Sequence, residues 1–161
     1  VRIGVISDTH NHLKNVARIV EILNAAGVER VLHTGDITQP RTLEALAGLE
    51  AKLFGVYGNN DVERPALDET AAALGFELVD GPLELVWAER RIVVVHDPRE
   101  LSLLTFAAGD VAIHGHTHRQ VIEERAGSLF FNPGECAGHM TGYNAVGVLD
   151  LRTLAPEILY F

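Results

Sequence analysis

Through the first half of the chain, short apolar runs of strand character alternate with segments of helical period, and that order leaves few folds open. Val1 to Ser7 reads as a buried strand ending in polar residues. Asn11 to Ala26 carries Leu13, Val16, Ile19, Val20 and Leu23 at helical spacing, with Gly27 behind it as a stop signal. Val31 and Leu32 suggest a second strand, and Lys52 to Tyr57 a third. Pro40 and Thr42 to Leu49 suggest a short helix with proline in its first turn, and Pro65 to Leu74 a helix closed by Gly75. The second half turns β-rich. Leu83 to Trp87 and Arg91 to Val95 read as a hairpin around Ala88-Glu89-Arg90, and Val111 to Ile113 as a short buried strand. Val121 to Arg125 and Ser128 to Phe131 flank Ala126-Gly127, a second hairpin signal, and Tyr143 to Leu151 and Pro156 to Phe161 complete a strand-rich end. This pattern predicts two packed sheets with helices outside. The 161 residues show no repeat, linker or composition break, so residues 1–161 are expected to form one domain.

Polar clusters stand where the apolar runs end. Asp8-Thr9-His10 follows Ile3 to Ile6, Gly35-Asp36 follows Val31-Leu32, and Gly58-Asn59-Asn60-Asp61 follows Leu53 to Tyr57. His96 follows Ile92 to Val95, and Gly115-His116-Thr117-His118 follows Val111 to Ile113. Ligands of open α/β sheets gather beyond the carboxyl ends of strands, so these clusters are expected to converge on one site. In extended chain, residues i and i+2 point the same way, which would let Asp8 with His10, and His116 with His118, each present two groups to one centre. Gly35, Gly58 and Gly115 would let the backbone turn or approach closely.

Imidazoles mixed with carboxylates and an amide oxygen suit manganese, iron, nickel or zinc, whereas an all-oxygen set would suit magnesium or calcium. Seven such ligands would be too many for one first-row ion. They are natural for two ions about 4 Å apart sharing a bridge.

The ordered set D-x-H, GD, GN-x-D, H and GH-x-H resembles the calcineurin-like metallophosphoesterase superfamily. More narrowly, the chain is similar to its small bacterial and archaeal phosphodiesterases, whose fold the eukaryotic retromer scaffold subunit shares. The resemblance covers essentially the whole chain. It implies an α/β fold: a four-layer α/β/β/α sandwich of two mixed β-sheets flanked by helices, with the metals at one sheet edge. It implies that Asp8, His10, Asp36 and His118 hold one divalent ion, and that Asp36 bridges to a second completed by Asn59, His96 and His116. Asp36 and Asn59 carry the catalytic roles. The implied activity is hydrolysis of small phosphodiesters by a hydroxide bridging the two ions. Manganese is the expected metal, with zinc, iron or nickel as alternatives. The other readings are a phosphomonoesterase on the same site and a non-catalytic scaffold like the retromer subunit.

The sequence departs from the family pattern at three places. Asn60 stands where members carry His, in GN-H-D, or Cys, and an amide cannot act as a general acid near neutral pH. Asp61, which would orient that His, is expected to brace a loop through backbone hydrogen bonds. Asp97 follows His96 where Gly is common, and Asn132-Pro133-Gly134-Glu135 replaces N-P-G-S, where an acid is expected to alter what approaches the metals. His33 and His114 are read as supporting or core residues, His12 as a solvated helix-start residue, and His139 as open. Arg99 is read as an exposed loop residue, and Glu21, Glu29 and Arg30 as solvated.

The formal net charge of −9 argues against stable nucleic-acid binding through a phosphate footprint. It does not argue against a small phosphate ester, because two divalent cations would outweigh the carboxylates of Asp8 and Asp36. No apolar run reaches the roughly 20 residues of a membrane helix, and Val1 to Ser7 lacks the pattern of a signal peptide. The single cysteine, Cys136, has no metal-like spacing and is given no chemistry; its isolation fits a cytoplasmic location. Homo-oligomerisation is left open.

Overall fold

The computed structural model of the protein describes residues 1–136 and 143–161. In chain order the elements are β1 (Arg2–Ile6), α1 (Leu13–Ala25), β2 (Arg30–His33), α2 (Pro40–Ala45), β3 (Lys52–Val56), α3 (Arg64–Leu74) and β4 (Glu77–Val79). There follow β5 (Leu83–Trp87), β6 (Arg90–Val94), β7 (Val111–Ile113), β8 (Val121–Arg125), β9 (Ser128–Asn132), β10 (Ala145–Asp150) and β11 (Ala155–Tyr160). Among the described residues the strands form two mixed sheets, ordered β11-β10-β1-β2-β3-β4 and β5-β6-β7-β9-β8. β1 to β4 run parallel in the first sheet, and β6, β7 and β9 run parallel in the second. The expected α/β/β/α sandwich is the fold observed.

Period-two alternation decides which core each strand residue joins. In β2, Val31 faces the helices and Leu32 faces the other sheet. Val16, Ile19 and Leu23 of α1, Leu43 of α2 and Leu67 of α3 cover the outer face of the first sheet. Ile3, Val5, Leu32 and Val56 meet Ile92, Val94, Ile113 and Phe131 between the sheets. Each such fully buried side chain contributes roughly 1.5–3 kcal/mol. The outer face of the second sheet is covered by a thinner layer: Leu101 in the 3₁₀ segment Pro98–Leu103, then Leu104 and Phe106, pack on Val93, Val95 and Phe130.

Several boundaries differ from the sequence reading. The first hairpin turns on two residues, Ala88 and Glu89, both at positive φ (50° and 64°), so Arg90 starts the return strand. That is the left-handed pair a two-residue hairpin demands, built without glycine. The second helix ends at Ala45 and tightens into a 3₁₀ turn, Leu46–Gly48. Strand β4 was not legible, because its three residues, two of them exposed, show no apolar alternation. Among the described residues no helix is long and apolar enough to cross a membrane.

Candidate metal centre

The parallel strands β1, β2 and β3 of one sheet and β6, β7 and β9 of the other bring their C-terminal ends to one edge, and beyond them the chain does not stay extended. Asp8, His10, Asp36, Thr38, His116 and His118 all lie in the left-handed region, with φ of 51°, 46°, 61°, 73°, 66° and 59°. This corrects the expectation that the i, i+2 pairs converge through extended backbone. Left-handed turns fold the chain back over the sheet edge instead. Such residues cost on the order of 1 kcal/mol or more each, and strain of this kind collects at functional sites. Backbone bonds hold the turns: Asp8 N–H donates to Gly35 O at 3.2 Å, His10 N–H to Asp36 O at 2.8 Å, and Gly115 N–H to His96 O at 3.0 Å.

All seven sequence-predicted residues come together. Ligand atoms of Asp8, His10 and His118 lie within 4.8 Å of one another, as do those of Asp8, Asp36 and His96. Asp8 is common to both groups, and Asp36 Oδ2 also approaches a histidine of each, 3.7 Å from His10 Nε2 and 3.5 Å from His96 Nε2. His96 Nε2 faces Asn59 Oδ1 at 2.8 Å and His116 Nδ1 at 3.1 Å, and His118 Nε2 faces Asp8 Oδ1 at 3.6 Å.

Two observations test whether these residues fit metal ions. Asp8 Oδ1 and His10 Nε2 are buried with no hydrogen-bond partner among the described residues. Leaving such groups unpaired costs about 1–3 kcal/mol each. Second, His96 Nδ1 lies 2.8 Å from the Thr34 carbonyl, which can only accept, so Nδ1 carries the proton and Nε2 presents a lone pair. That lone pair points at the Asn59 oxygen. Acceptors converging on one another repel unless a cation lies among them, and this mixed nitrogen and oxygen set suits a first-row divalent ion.

The surroundings hold the carboxylates in place. Thr34 donates to Ser7 Oγ at 2.7 Å, Ser7 donates to Asp8 Oδ2, and the His116 N–H donates to the same oxygen at 3.0 Å. Burial pushes the Asp8 carboxyl up, against the pull of Ser7 and of the His118 and His96 rings. Burial would raise Asp36 too, but the Asn60 backbone N–H, His96, the Asn60 amide and His10 together hold it below the usual range. Gly58 and Gly115 are required by close approach. A Cβ at Gly58 would stand 2.3 Å from Asp36 Oδ1, and one at Gly115 would stand 2.2 Å from Ser7 Oγ. Ser7 and Thr34 were missed in the sequence, although hydroxyls flanking a ligand-bearing strand end are the available signal.

Asp61 does brace a loop. Its Oδ2 accepts the backbone N–H of Asp36 (2.9 Å) and Gly58 (2.7 Å), and Oδ1 accepts that of Thr38 (2.6 Å). Asp61→Ala strands these N–H groups at a buried site and is expected to cost about 3 kcal/mol or more in urea unfolding. A loss under 1 kcal/mol would show that water replaces the carboxylate.

The remaining histidines separate as follows. His33 accepts the Gly35 N–H on Nδ1 (2.9 Å) and donates from Nε2 to Thr9 Oγ1 (2.9 Å), and burial brings its pKa down to about 3. It is a neutral strut beneath the ligands. His114 is buried on the outer side of the second sheet, among Leu101, Phe106 and Phe130. His12 caps α1, its Nδ1 accepting the Asn15 N–H at 3.2 Å. His139 lies outside the described residues. The Cys136 thiol donates to Ala145 O at 3.0 Å and is pushed up to about 12 by burial, which leaves it inert.

A groove of about 430 Å³ opens beside Asn59, His96 and His116, with Tyr57, Arg64 and Arg99 among its walls. Arg64 lies over the Tyr57 ring at 4.4 Å and pairs with Asp80. Arg99 is exposed but paired with Asp97, whose carboxyl its hydrogen bonds bring down to about 2.

Residues 1–154 match the family profile of the calcineurin-like phosphoesterase superfamily domain. The chain is 36% identical over 154 residues to the phosphodiesterase MJ0936 of Methanocaldococcus jannaschii, covering 93% of each. A solved structure described as a novel archaeal phosphodiesterase superposes with a TM-score of 0.89 at 33% identity, covering 100% of both chains. Vps29 of Chaetomium thermophilum superposes with a TM-score of 0.67 at 18% identity, over 99% of this chain and 95% of that one, a likeness of fold alone.

Proposed function

The chain belongs to the calcineurin-like phosphoesterase superfamily, and on that footing we propose that it hydrolyses small phosphodiesters using two divalent ions held by the residues at the sheet edge. It is a metal-dependent phosphoric ester hydrolase. Asp8, His10, Asp36 and His118 would hold one ion, and Asp36, Asn59, His96 and His116 the other. The observation that carries this reading is the convergence of the unpaired, buried Asp8 Oδ1 and His10 Nε2 with Asp36 and His96 at one place. Bound ions would supply positive charge for the phosphate oxygens and render a water acidic enough to act near neutral pH. Manganese is the proposed metal; zinc, iron and nickel suit the same donors.

The chain's own residues favour a diester. The groove of about 430 Å³ beside Asn59 and His116 would give one ester arm room. Both groove arginines are already ion-paired, Arg64 with Asp80 and Arg99 with Asp97, so they offer little to the extra negative charge of a monoester. Asn60 donates to Asp36 from its backbone N–H and its amide, both at 2.9 Å, and has no proton to give a leaving alcohol.

Turnover of a bis-aryl phosphodiester with and without manganese, with elemental analysis of the same sample, tests the proposal. About two ions per chain and metal-dependent diester cleavage are expected. Saturation at one ion would remove the two-metal reading. Cleavage of monoesters alone would make the protein a phosphomonoesterase. Absence of both metal and turnover would favour a scaffold role like that of the retromer subunit.

A further inference from the structure

Past the end of β9 the chain runs Asn132-Pro133-Gly134-Glu135, and this turn is tied to the metal edge. The Asn132 amide donates to Gly115 O and Thr117 Oγ1, each at 3.3 Å, and accepts the Gly134 N–H at 3.0 Å. The Glu135 carbonyl accepts the Ala145 N–H at 3.0 Å, and the next residue, Cys136, donates to Ser7 O at 3.1 Å. Glu135 is thus fixed against both β1 and the Gly115–His118 turn. Its Oε2 lies 2.6 Å from His118 Nδ1. A carboxylate accepts, so Nδ1 carries the proton and the Nε2 lone pair is aimed at Asp8 Oδ1, 3.6 Å away.

The other imidazoles differ. His96 gives its Nδ1 proton to a neutral carbonyl, that of Thr34. His116 has Asp97 at 3.8 Å from Nε2, beyond hydrogen-bond reach, and Arg99 already occupies that carboxylate. Among the described residues, His118 alone of these three has an anion at hydrogen-bond distance from the ring nitrogen turned away from the cluster. A carboxylate on the far nitrogen of a ligating imidazole fixes its tautomer, orients the ring and raises its basicity. We propose that Glu135 is a positioning residue for His118, and that it makes the Asp8–His10–Asp36–His118 position the tighter of the two metal sites. The inference rests on the two-metal reading. It also gives a role to the acid that stands where the family pattern has serine.

The test is a manganese titration against a competing chelator, repeated with cobalt so that the visible spectrum reports ligand geometry. Wild type should show a tight and a weak step. Glu135→Ser should weaken the tight step by about 10–100-fold and leave the weak step unchanged. Glu135→Gln keeps an acceptor without the charge and should fall between them. In a His118→Ala background, Glu135→Gln should have no further effect, an outcome that a general loss of structure would not produce. Melting of the metal-free proteins checks the fold, and Glu135→Gln stands in if Glu135→Ser does not fold. A tight step unmoved in both variants, or two steps falling in parallel, overturns the inference while the two-metal reading stands. A wild type that binds no ion sinks both.

Discussion

Asp36→Asn should lower turnover by about 10³-fold or more, the rate equivalent of roughly 4 kcal/mol of lost transition-state stabilisation, while leaving the protein folded. Asp36 Oδ2 approaches a histidine of each proposed ion, His10 Nε2 at 3.7 Å and His96 Nε2 at 3.5 Å, and it is the proposed bridge. Its neighbours hold it ionised despite burial, so the substitution removes a charge that is present at neutral pH. Two divalent ions held close together repel, and a carboxylate shared between them would offset that. The backbone argues that the fold survives. Asp36 has φ of 61°, and asparagine is among the few non-glycine residues that tolerate this region. The measurements are metal content and diester turnover on one sample. Asn59→Ala is the comparison, because Asn59 Oδ1 faces His96 Nε2 at 2.8 Å and its loss should cost mainly the second ion. Two bound ions and wild-type turnover in Asp36→Asn would place the bridge elsewhere.

The site was legible in the sequence because metal chemistry uses few residue types, and because strand ends are readable. Each of the five apolar runs is followed by a cluster that the structure brings to the same edge. What the sequence did not show was how the clusters turn. The left-handed pairs at Asp8/His10, Asp36/Thr38 and His116/His118 are non-glycine positions, where local propensity points to ordinary backbone. They persist because tertiary bonds over-determine them, among them the contacts of Asp61 with Asp36, Gly58 and Thr38. The Ser7–Thr34 hydroxyl chain was invisible for a related reason, since it joins residues that meet only when β1 and β2 pair. The departures at Asn60 and Glu135 were visible as letters, but their partners, Asp36 and His118, were supplied by the fold.

Asn60→His is expected to raise hydrolysis of alkyl esters more than that of aryl esters. An alkoxide is a poor leaving group and needs a proton as it departs, whereas an aryloxide needs little help. General acid catalysis is worth about 10²–10⁴-fold where it operates, so its absence should show as a steep dependence on the leaving alcohol in the wild type. Position 60 is well placed to meet substrate. It is exposed, at the tip of the Gly58–Asp61 loop, and its amide now donates to Asp36 Oδ2 at 2.9 Å. An imidazole there gives up that bond and would place an acid next to Asn59, which lines the groove. Its gain should fall toward the low end of the range, about 10²-fold. The structure shows why: both Asp61 oxygens are already taken by backbone N–H groups, so Asp61 has little capacity left to orient the ring. The quantity to compare is the alkyl-to-aryl rate ratio at saturating metal and substrate in the two proteins. A wild type that cleaves both classes equally well already has a proton donor. His12 would then be the first residue to replace, since it opens α1 close behind the Asp8–His10 turn. A ratio that does not move in Asn60→His, with two ions still bound, would mean that the leaving group departs from another side of the site.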